Sequence, residues 1–105
     1  MPETVMLCRT DELSSGEARR FTIEGHRIAL VRTEDEFHAI ADRCSHEDYS
    51  LAEGEVWVEE REIECPRHGS TFDLKSGNPC SLPATQPVAV YAVEIVDGNV
   101  YVVLP

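Results

Sequence analysis

An all-β, single-domain fold is predicted for this chain by three features of its sequence. Apolar residues recur at a spacing of two over short segments, polar turn sequences separate those segments, and no long stretch has the spacing of an amphipathic helix. The 105 residues suffice for one modest core but not for a core plus a second catalytic domain. We therefore expect antiparallel strands joined by short turns.

Four strands are predicted in the first part of the chain, and the second and third form a hairpin around Glu24-Gly25-His26. Apolar side chains at a spacing of two on these strands can share one buried face. Those side chains are Phe21, Ile23, Ile28 and Leu30. The predicted strands cover residues 4–8, 18–23, 27–32 and 37–41.

Two further hairpins are predicted in the later part of the chain. Asp97-Gly98 lies between apolar runs at residues 88–96 and 99–103, and Asp-Gly in that setting is the strongest hairpin signal in the sequence. Two short segments can pair around Glu59-Glu60, whereas the rest of the central region has no regular pattern. The chain is therefore expected to divide into a base subdomain, residues 1–42 and 84–105, and an inserted subdomain, residues 43–83.

The charge and hydropathy of the chain exclude several classes of function. A net charge of -11 argues against binding to nucleic acid or to an anionic membrane surface, because both need Lys and Arg. No run of about 18 apolar residues is present, and residues 1–6 lack the basic start and apolar middle of a secretory signal. We therefore expect a cytoplasmic protein, in which cysteines are more often metal ligands than disulfide partners.

Two short boxes of metal-binding residues stand out, Cys44-Ser45-His46 and Cys65-Pro66-Arg67-His68, with 18 residues between them. Thiolate and imidazole are strong ligands for zinc and iron, and two pairs on separate loops can converge on one centre. A structural zinc site usually has Cys-x(2-4)-Cys followed by His-x(3-5)-His, which fits this order poorly. A binuclear cluster fits better, because each loop can give its cysteine to one iron and its histidine to the other. A structural zinc module remains the remote alternative.

The two boxes resemble the motif of Rieske 2Fe-2S proteins, and their surroundings are similar to those of the small ferredoxins that serve bacterial ring-hydroxylating dioxygenases. The similar surroundings are residues 46–51, Phe72-Asp73, Ser76-Gly77 and Leu82-Pro83-Ala84. The resemblance implies antiparallel sheets in a sandwich or small barrel, with the cluster in the inserted subdomain. It also implies one 2Fe-2S cluster, with one iron held by Cys44 and Cys65 and the other by His46 and His68.

Five further residues in or near the boxes correspond to family positions around the cluster, and four of them bear on the reduction potential. High-potential members of the family have a disulfide between the two loops, and this chain has Tyr49 and Arg67 at those positions. The serine that bonds a cluster sulfur is kept as Ser70, but the neighbouring tyrosine is replaced by Phe72, which has no hydroxyl. Pro83 matches the proline of the loop that covers the cluster. We therefore expect a potential towards the low end of the Rieske range, roughly -150 to +300 mV.

These features predict a soluble one-electron carrier and not an enzyme. The resemblance implies that it takes electrons from a flavin-dependent NAD(P)H ferredoxin reductase and passes them to a terminal Rieske non-haem iron oxygenase, which would bind the aromatic substrate. A Rieske subunit of another system, such as the small subunit of a nitrite reductase or a partner in iron-sulfur assembly, is the alternative. Cys8 and Cys80 have no histidine at ligand spacing and are expected to be plain small side chains, with a role for Cys80 near the cluster as the alternative. His26 and His38 lie in the base subdomain and are expected to be structural or solvated.

Overall fold

The computed structural model describes residues 3–43, 50–66, 69–80 and 86–104, and these residues form strands joined by turns and two single-turn 3-10 helices. The 3-10 helices are Thr10–Glu12 and Leu51–Glu53. The strands are β1 (Glu3–Arg9), β2 (Ala18–Ile23), β3 (His26–Thr33), β4 (Glu36–Ala41), β5 (Val56–Trp57), β6 (Glu62–Glu64), β7 (Thr71–Asp73), β8 (Val90–Val96) and β9 (Asn99–Leu104). The predicted all-β class is therefore confirmed.

The strands form two antiparallel sheets. The larger sheet has the order β1-β9-β8-β4-β3-β2, and the smaller sheet has the order β5-β6-β7. The larger sheet uses strands from both ends of the chain, whereas the smaller sheet is built from a single continuous region between β4 and β8. Only Ala39 with Tyr91 and Ile40 with Val90 pair β4 to β8, so this ladder is the shortest in the larger sheet.

The predicted hairpins are present in the structure. Asp97 and Gly98 have φ angles of 51° and 77°, and they join β8 to β9 with Val96 opposite Asn99. Left-handed φ at both central residues is the geometry of a two-residue type I′ turn, whose twist matches that of the strands. The hairpin of β5 and β6 is also confirmed, with Val56 opposite Ile63.

One strand was not predicted from the sequence. β7 is three residues long, and no alternation of apolar and polar residues can be recognised over so short a segment. It forms because Phe72 pairs with Ile63 on one side and with Pro79 on the other. Its existence thus depends on tertiary pairing more than on local preference.

The third strand is buried on both of its faces, and this explains its unbroken apolar run. Ile28 and Leu30 belong to one core with Phe21 and Ile23, as the hairpin pattern predicted. The alternate residues of β3, together with Ile40 of β4, belong to a second core on the opposite face. The remaining members of that second core come mainly from the small sheet and its connections: Leu51, Ile63, Cys65, Phe72, Leu74 and Val88. The small sheet therefore packs on β3 and β4.

An ion cluster also links the two sheets. The carboxylate of Glu36, at the start of β4, accepts a hydrogen bond from Nε of Arg61, and Nζ of Lys75 lies 3.9 Å from its other oxygen. The Arg61 hydrogen bond holds the pKa of Glu36 below its ordinary value.

His38 of β4 is buried near this ion cluster. Burial lowers the pKa of His38, whose Nε2 lies 2.8 Å from the hydroxyl of Thr33. His38 is thus structural, as expected from the sequence.

A glycine lets the Leu51–Glu53 helix approach the small sheet closely. A Cβ placed on Gly54 would lie 1.7 Å from the carbonyl oxygen of Glu64, a distance that no side chain can occupy. Gly54 has φ -84°, which any residue can adopt, so the requirement for glycine is purely one of space. The contact places Glu64, and hence the next residue Cys65, against the end of the helix.

We predict that Gly54→Ala destabilises the protein by about 3 kcal/mol, because the new methyl group forces Glu64 to move. Gly25→Ala is the control: Gly25 has φ +83° but nothing within 4 Å of an added Cβ, so it should cost only about 1 kcal/mol of backbone strain. Free energies of unfolding from urea titrations of both variants test this. Equal losses would contradict the close approach at Gly54.

Candidate metal centre

Three of the residues predicted to form or surround the centre lie in the described part of the chain: Cys65, Ser70 and Phe72. The other predicted residues lie outside the described residues: Cys44, His46, Tyr49, Arg67, His68 and Pro83. The structure therefore describes the first two residues of the second box, Cys65 and Pro66, and the residues that flank the first box, up to residue 43 and from residue 50.

The second box lies in the turn that connects β6 to β7. The amide of Cys65 donates to the carbonyl of Ser70 (N···O 2.7 Å), and the amide of Gly69 donates to the carbonyl of Cys65 (3.1 Å). Gly69 has φ +75°, a left-handed conformation that glycine adopts without strain. Because both ends of the turn are fixed by backbone hydrogen bonds, Cys65 and Ser70 have defined positions next to the Glu64–Thr71 pair of the ladder.

Cys65, Ser70 and Phe72 are all fully buried. Cys65 and Phe72 belong to the same apolar core, which also contains Leu51 and Ile63. Their burial keeps water away from the inner side of this turn. A buried cysteine and a buried hydroxyl at opposite ends of one tight turn fit the demands of an iron-sulfur cluster, which needs thiolate ligands and whose sulfurs accept hydrogen bonds.

The segment after β7 supports the second box from the other side. Phe72 forms an isolated bridge with Pro79, and the amide of Cys80 donates to the carbonyl of Thr71 (2.7 Å). The carboxylate of Asp73 accepts hydrogen bonds from the amides of Lys75 and Ser76, which lower its pKa. Asp73 thus holds the turn that returns the chain alongside β7.

A close backbone contact completes this support. A Cβ on Gly77 would lie 2.1 Å from the carbonyl oxygen of Val88, and the amide of Val88 donates to the carbonyl of Gly77. The glycine of the Ser76-Gly77 motif therefore joins the segment after β7 to the chain that leads into β8.

The two cysteines that were not assigned as ligands lie in different settings. Cys8 is buried on β1 in the core that does not contain Cys65, and Cys80 is exposed after the bridge at Pro79. Burial raises the pKa of both thiols, and nearby glutamates, Glu12 for Cys8 and Glu62 for Cys80, raise it further. Both environments favour the protonated thiol over the thiolate that binds metals.

A buried carboxylate that precedes the first box was not predicted from the sequence. Asp42 is fully buried at the end of β4, and its carboxylate accepts hydrogen bonds from the hydroxyl of Ser50 (2.6 Å) and the amide of Ala52 (2.7 Å). These contacts join residues on either side of segment 43–49. The available signal was an aspartate directly after an apolar strand and shortly before the first cysteine, a pattern that also fits an ordinary turn.

The six glutamates between Glu53 and Glu64, which form an acidic run in the inserted region, lie largely at the surface. Glu53, Glu55, Glu59 and Glu60 are exposed, whereas Glu62 and Glu64 are half-buried. The one arginine among them, Arg61, is paired with Glu36. This region therefore presents mainly negative charge to solvent.

Among residues 3–43, 50–66, 69–80 and 86–104, no three His, Cys, Asp or Glu side chains are grouped so that they could hold a metal ion. Within the same ranges, no helix has the length and apolar character needed to cross a membrane.

Comparisons with known proteins agree with this geometry. Residues 3–92 match the family described as Rieske [2Fe-2S] domain. The 3-phenylpropionate/cinnamic acid dioxygenase ferredoxin subunit of Photorhabdus laumondii is 39% identical over 98 residues, which are 93% of this chain and 91% of that protein.

Solved structures give the same result for the fold. The ferredoxin of carbazole 1,9a-dioxygenase from Nocardioides aromaticivorans superposes with a TM-score of 0.92 at 34% identity, over 94% of this chain and 95% of that one. A chain in a complex of reduced oxygenase and oxidised ferredoxin in carbazole 1,9a-dioxygenase superposes with a TM-score of 0.89 at 37% identity, over 94% and 91%.

The family match covers most of the chain, and the relatives are ferredoxins, which transfer electrons and do not themselves catalyse a reaction. The protein is therefore an electron carrier with a 2Fe-2S cluster, a group that takes up and releases one electron at a time. By its sequence and its fold, the chain belongs to the Rieske 2Fe-2S domain family.

Proposed function

We propose that the cluster is held by Cys44 and Cys65 on one iron and by His46 and His68 on the other. The position of Cys65 carries this proposal, because the second box begins at a fully buried cysteine in a hydrogen-bonded turn. The first box matches it in composition, with one cysteine and one histidine close together. The chain would then act as a single Rieske domain with a base subdomain, residues 1–42 and 84–105, and a cluster-binding subdomain, residues 43–83.

The proposed carrier works in the cytoplasm between two proteins. It takes electrons from a flavin-dependent NAD(P)H ferredoxin reductase and gives them to a terminal Rieske non-haem iron oxygenase that acts on an aromatic compound. The ferredoxin names of the relatives, and the oxygenase present in a complex with one of them, support this assignment. The chain itself binds no aromatic substrate in this scheme.

The proposed reduction potential lies towards the low end of the Rieske range. Phe72 is fully buried in the core beside Cys65 and offers no hydroxyl, so only Ser70 remains of the expected pair of hydroxyl donors. Hydrogen bonds to sulfur stabilise the reduced cluster, and losing one lowers the potential. The exposed carboxylates of the acidic run act in the same direction, because negative charge opposes the uptake of an electron.

Metal and sulfide analysis of the purified protein tests the proposed function directly. We expect about two irons and about two acid-labile sulfides per chain, with visible colour that fades on reduction. Cys65→Ser should lower the iron content strongly, whereas Cys80→Ser, at the exposed cysteine, is the matched control and should retain the cluster. A colourless protein that contains only zinc would refute the proposal.

We predict that Phe72→Tyr raises the reduction potential, because a hydroxyl at this position can donate a hydrogen bond to the cluster. Phe21→Tyr is the matched control, since Phe21 packs in the other core and should leave the potential unchanged. A redox titration followed by visible absorption measures both variants. A wild-type potential near the top of the Rieske range, or equal shifts in the two variants, would count against the assignment.

The acidic run is proposed to steer the carrier towards a basic surface on its redox partner. Reversing one exposed charge with Glu60→Lys should slow electron transfer to the terminal oxygenase about two- to threefold at low salt, and added salt should reduce the difference. Glu94→Lys, at an exposed position of β8 in the larger sheet, is the control. Stopped-flow kinetics at several ionic strengths measure the effect. Identical rates for the two variants would show that the acidic run is exposed to solvent but does not steer the carrier towards its partner.

A further inference from the structure

A buried carboxylate next to the first box has no role in the ligand set proposed above. Asp42 follows β4, is fully buried, and its amide donates to the carbonyl of Arg27 (2.9 Å), which continues the pairing of β3 with β4. The backbone of Asp42 is therefore part of the larger sheet. Its side chain reaches out of the sheet to a different part of the chain.

That side chain joins the two ends of segment 43–49. One carboxylate oxygen accepts the hydrogen bond from the hydroxyl of Ser50, and the other accepts the hydrogen bond from the amide of Ala52. Ser50 is itself buried, and Ala52 lies in the Leu51–Glu53 helix. The residues before and after the first box are thus held at a fixed separation by one side chain.

A buried carboxylate is an expensive way to satisfy these two donors. Removing a charge from water is unfavourable unless the charge is paired, and Nε of Arg20, which lies 3.9 Å from Oδ2 of Asp42, belongs to a side chain that is 54% exposed. An uncharged amide would have a lower desolvation cost, but it has only one acceptor oxygen. The carboxylate is therefore distinguished by its geometry: one oxygen accepts from the hydroxyl of Ser50, and the other accepts from the amide of Ala52.

The same helix that Asp42 binds also contacts the second box. Gly54, directly after Leu51–Glu53, lies against the backbone of Glu64, and Glu64 precedes Cys65. Leu51 and Cys65 are both fully buried in one core. A continuous series of contacts therefore leads from Asp42 through the helix to the second cysteine.

We propose that Asp42 is a positioning residue for the metal centre: by holding Ser50 and Ala52, it fixes both ends of the segment that carries Cys44 and His46 and sets that segment relative to Cys65. This inference rests on the ligand set proposed above. Residues that orient metal ligands without touching the metal commonly contribute about 10- to 100-fold to metal retention. Asp42 should therefore control how firmly the cluster is held.

The test compares cluster retention in Asp42→Ala, Asp42→Asn and Thr33→Val, each prepared as the iron-loaded protein. Thr33→Val is the matched control, because it also removes a buried side-chain hydrogen bond, the one between Thr33 and His38, at a site outside this series of contacts. Loss of visible absorption in the presence of a chelator gives the rate of cluster loss. Far-UV circular dichroism and urea unfolding of the same samples report the fold and its stability.

We expect Asp42→Ala to lose its cluster about tenfold faster than the wild type or more, at a temperature where it is still folded. Thr33→Val should lose its cluster at the wild-type rate even though it is destabilised. Asp42→Asn should restore most of the retention, because its amide oxygen can accept from Ala52 and its NH₂ group can donate to the Ser50 hydroxyl. The electron paramagnetic resonance spectrum of the reduced protein should broaden in Asp42→Ala only, since a loosened segment allows several cluster geometries.

Two results would overturn the proposal: equal rates of cluster loss in Asp42→Ala and Thr33→Val, or no recovery in Asp42→Asn. If Asp42→Ala does not fold, Ser50→Ala replaces it, since it removes one of the two contacts and should accelerate cluster loss by a smaller factor. A wild-type protein without iron and sulfide would instead refute the proposed function, so the two failures can be told apart.

Discussion

The packing of the small sheet on β3 and β4 is the interaction on which the rest of the structure depends. Three strands of only two or three residues need a packed apolar face to be stable, and here they and their connections bury Ile63, Cys65 and Phe72 against the face of a strand that is already buried on its other side. The same residues that stabilise the small sheet therefore place the second box. Stability and the position of the proposed ligand Cys65 are set by one apolar core.

Polar contacts refine this arrangement at its two edges. On one side, Glu36 binds Arg61 and Lys75 and so holds the turns of the small sheet against β4. Those side chains are partly exposed, so the ion cluster contributes more to orientation than to the free energy of folding. On the other side, the fully buried Asp42 holds the Leu51–Glu53 helix. The apolar core holds the small sheet on the larger one. The charged groups at the two ends of β4, Glu36 and Asp42, determine how the small sheet and the Leu51–Glu53 helix are oriented on it.

Much of this fold could be predicted from the sequence because its hairpins are local. The Asp97-Gly98 turn and the alternating residues on β2 and β3 specify strands that are neighbours along the chain. The types and spacing of the proposed ligands indicate the cluster chemistry. Asp42, Gly54 and β7 could not be predicted, because their roles depend on contacts with residues that the local pattern does not identify. An aspartate after a strand fits a turn equally well, and only the folded chain places Ser50 and Ala52 within reach of it.

The pairing of β1 with β9 has a consequence for the order of folding. Glu3 lies opposite Leu104, so the first described strand has its partner about 90 to 100 residues away along the chain. During synthesis β1 must wait, with both of its edges unpaired, until β9 has left the ribosome. The hairpins β2–β3 and β5–β6 can form long before that, because their partners are adjacent. Closure of the larger sheet is thus the last and most non-local event, and it is expected to limit the rate at which this small protein folds.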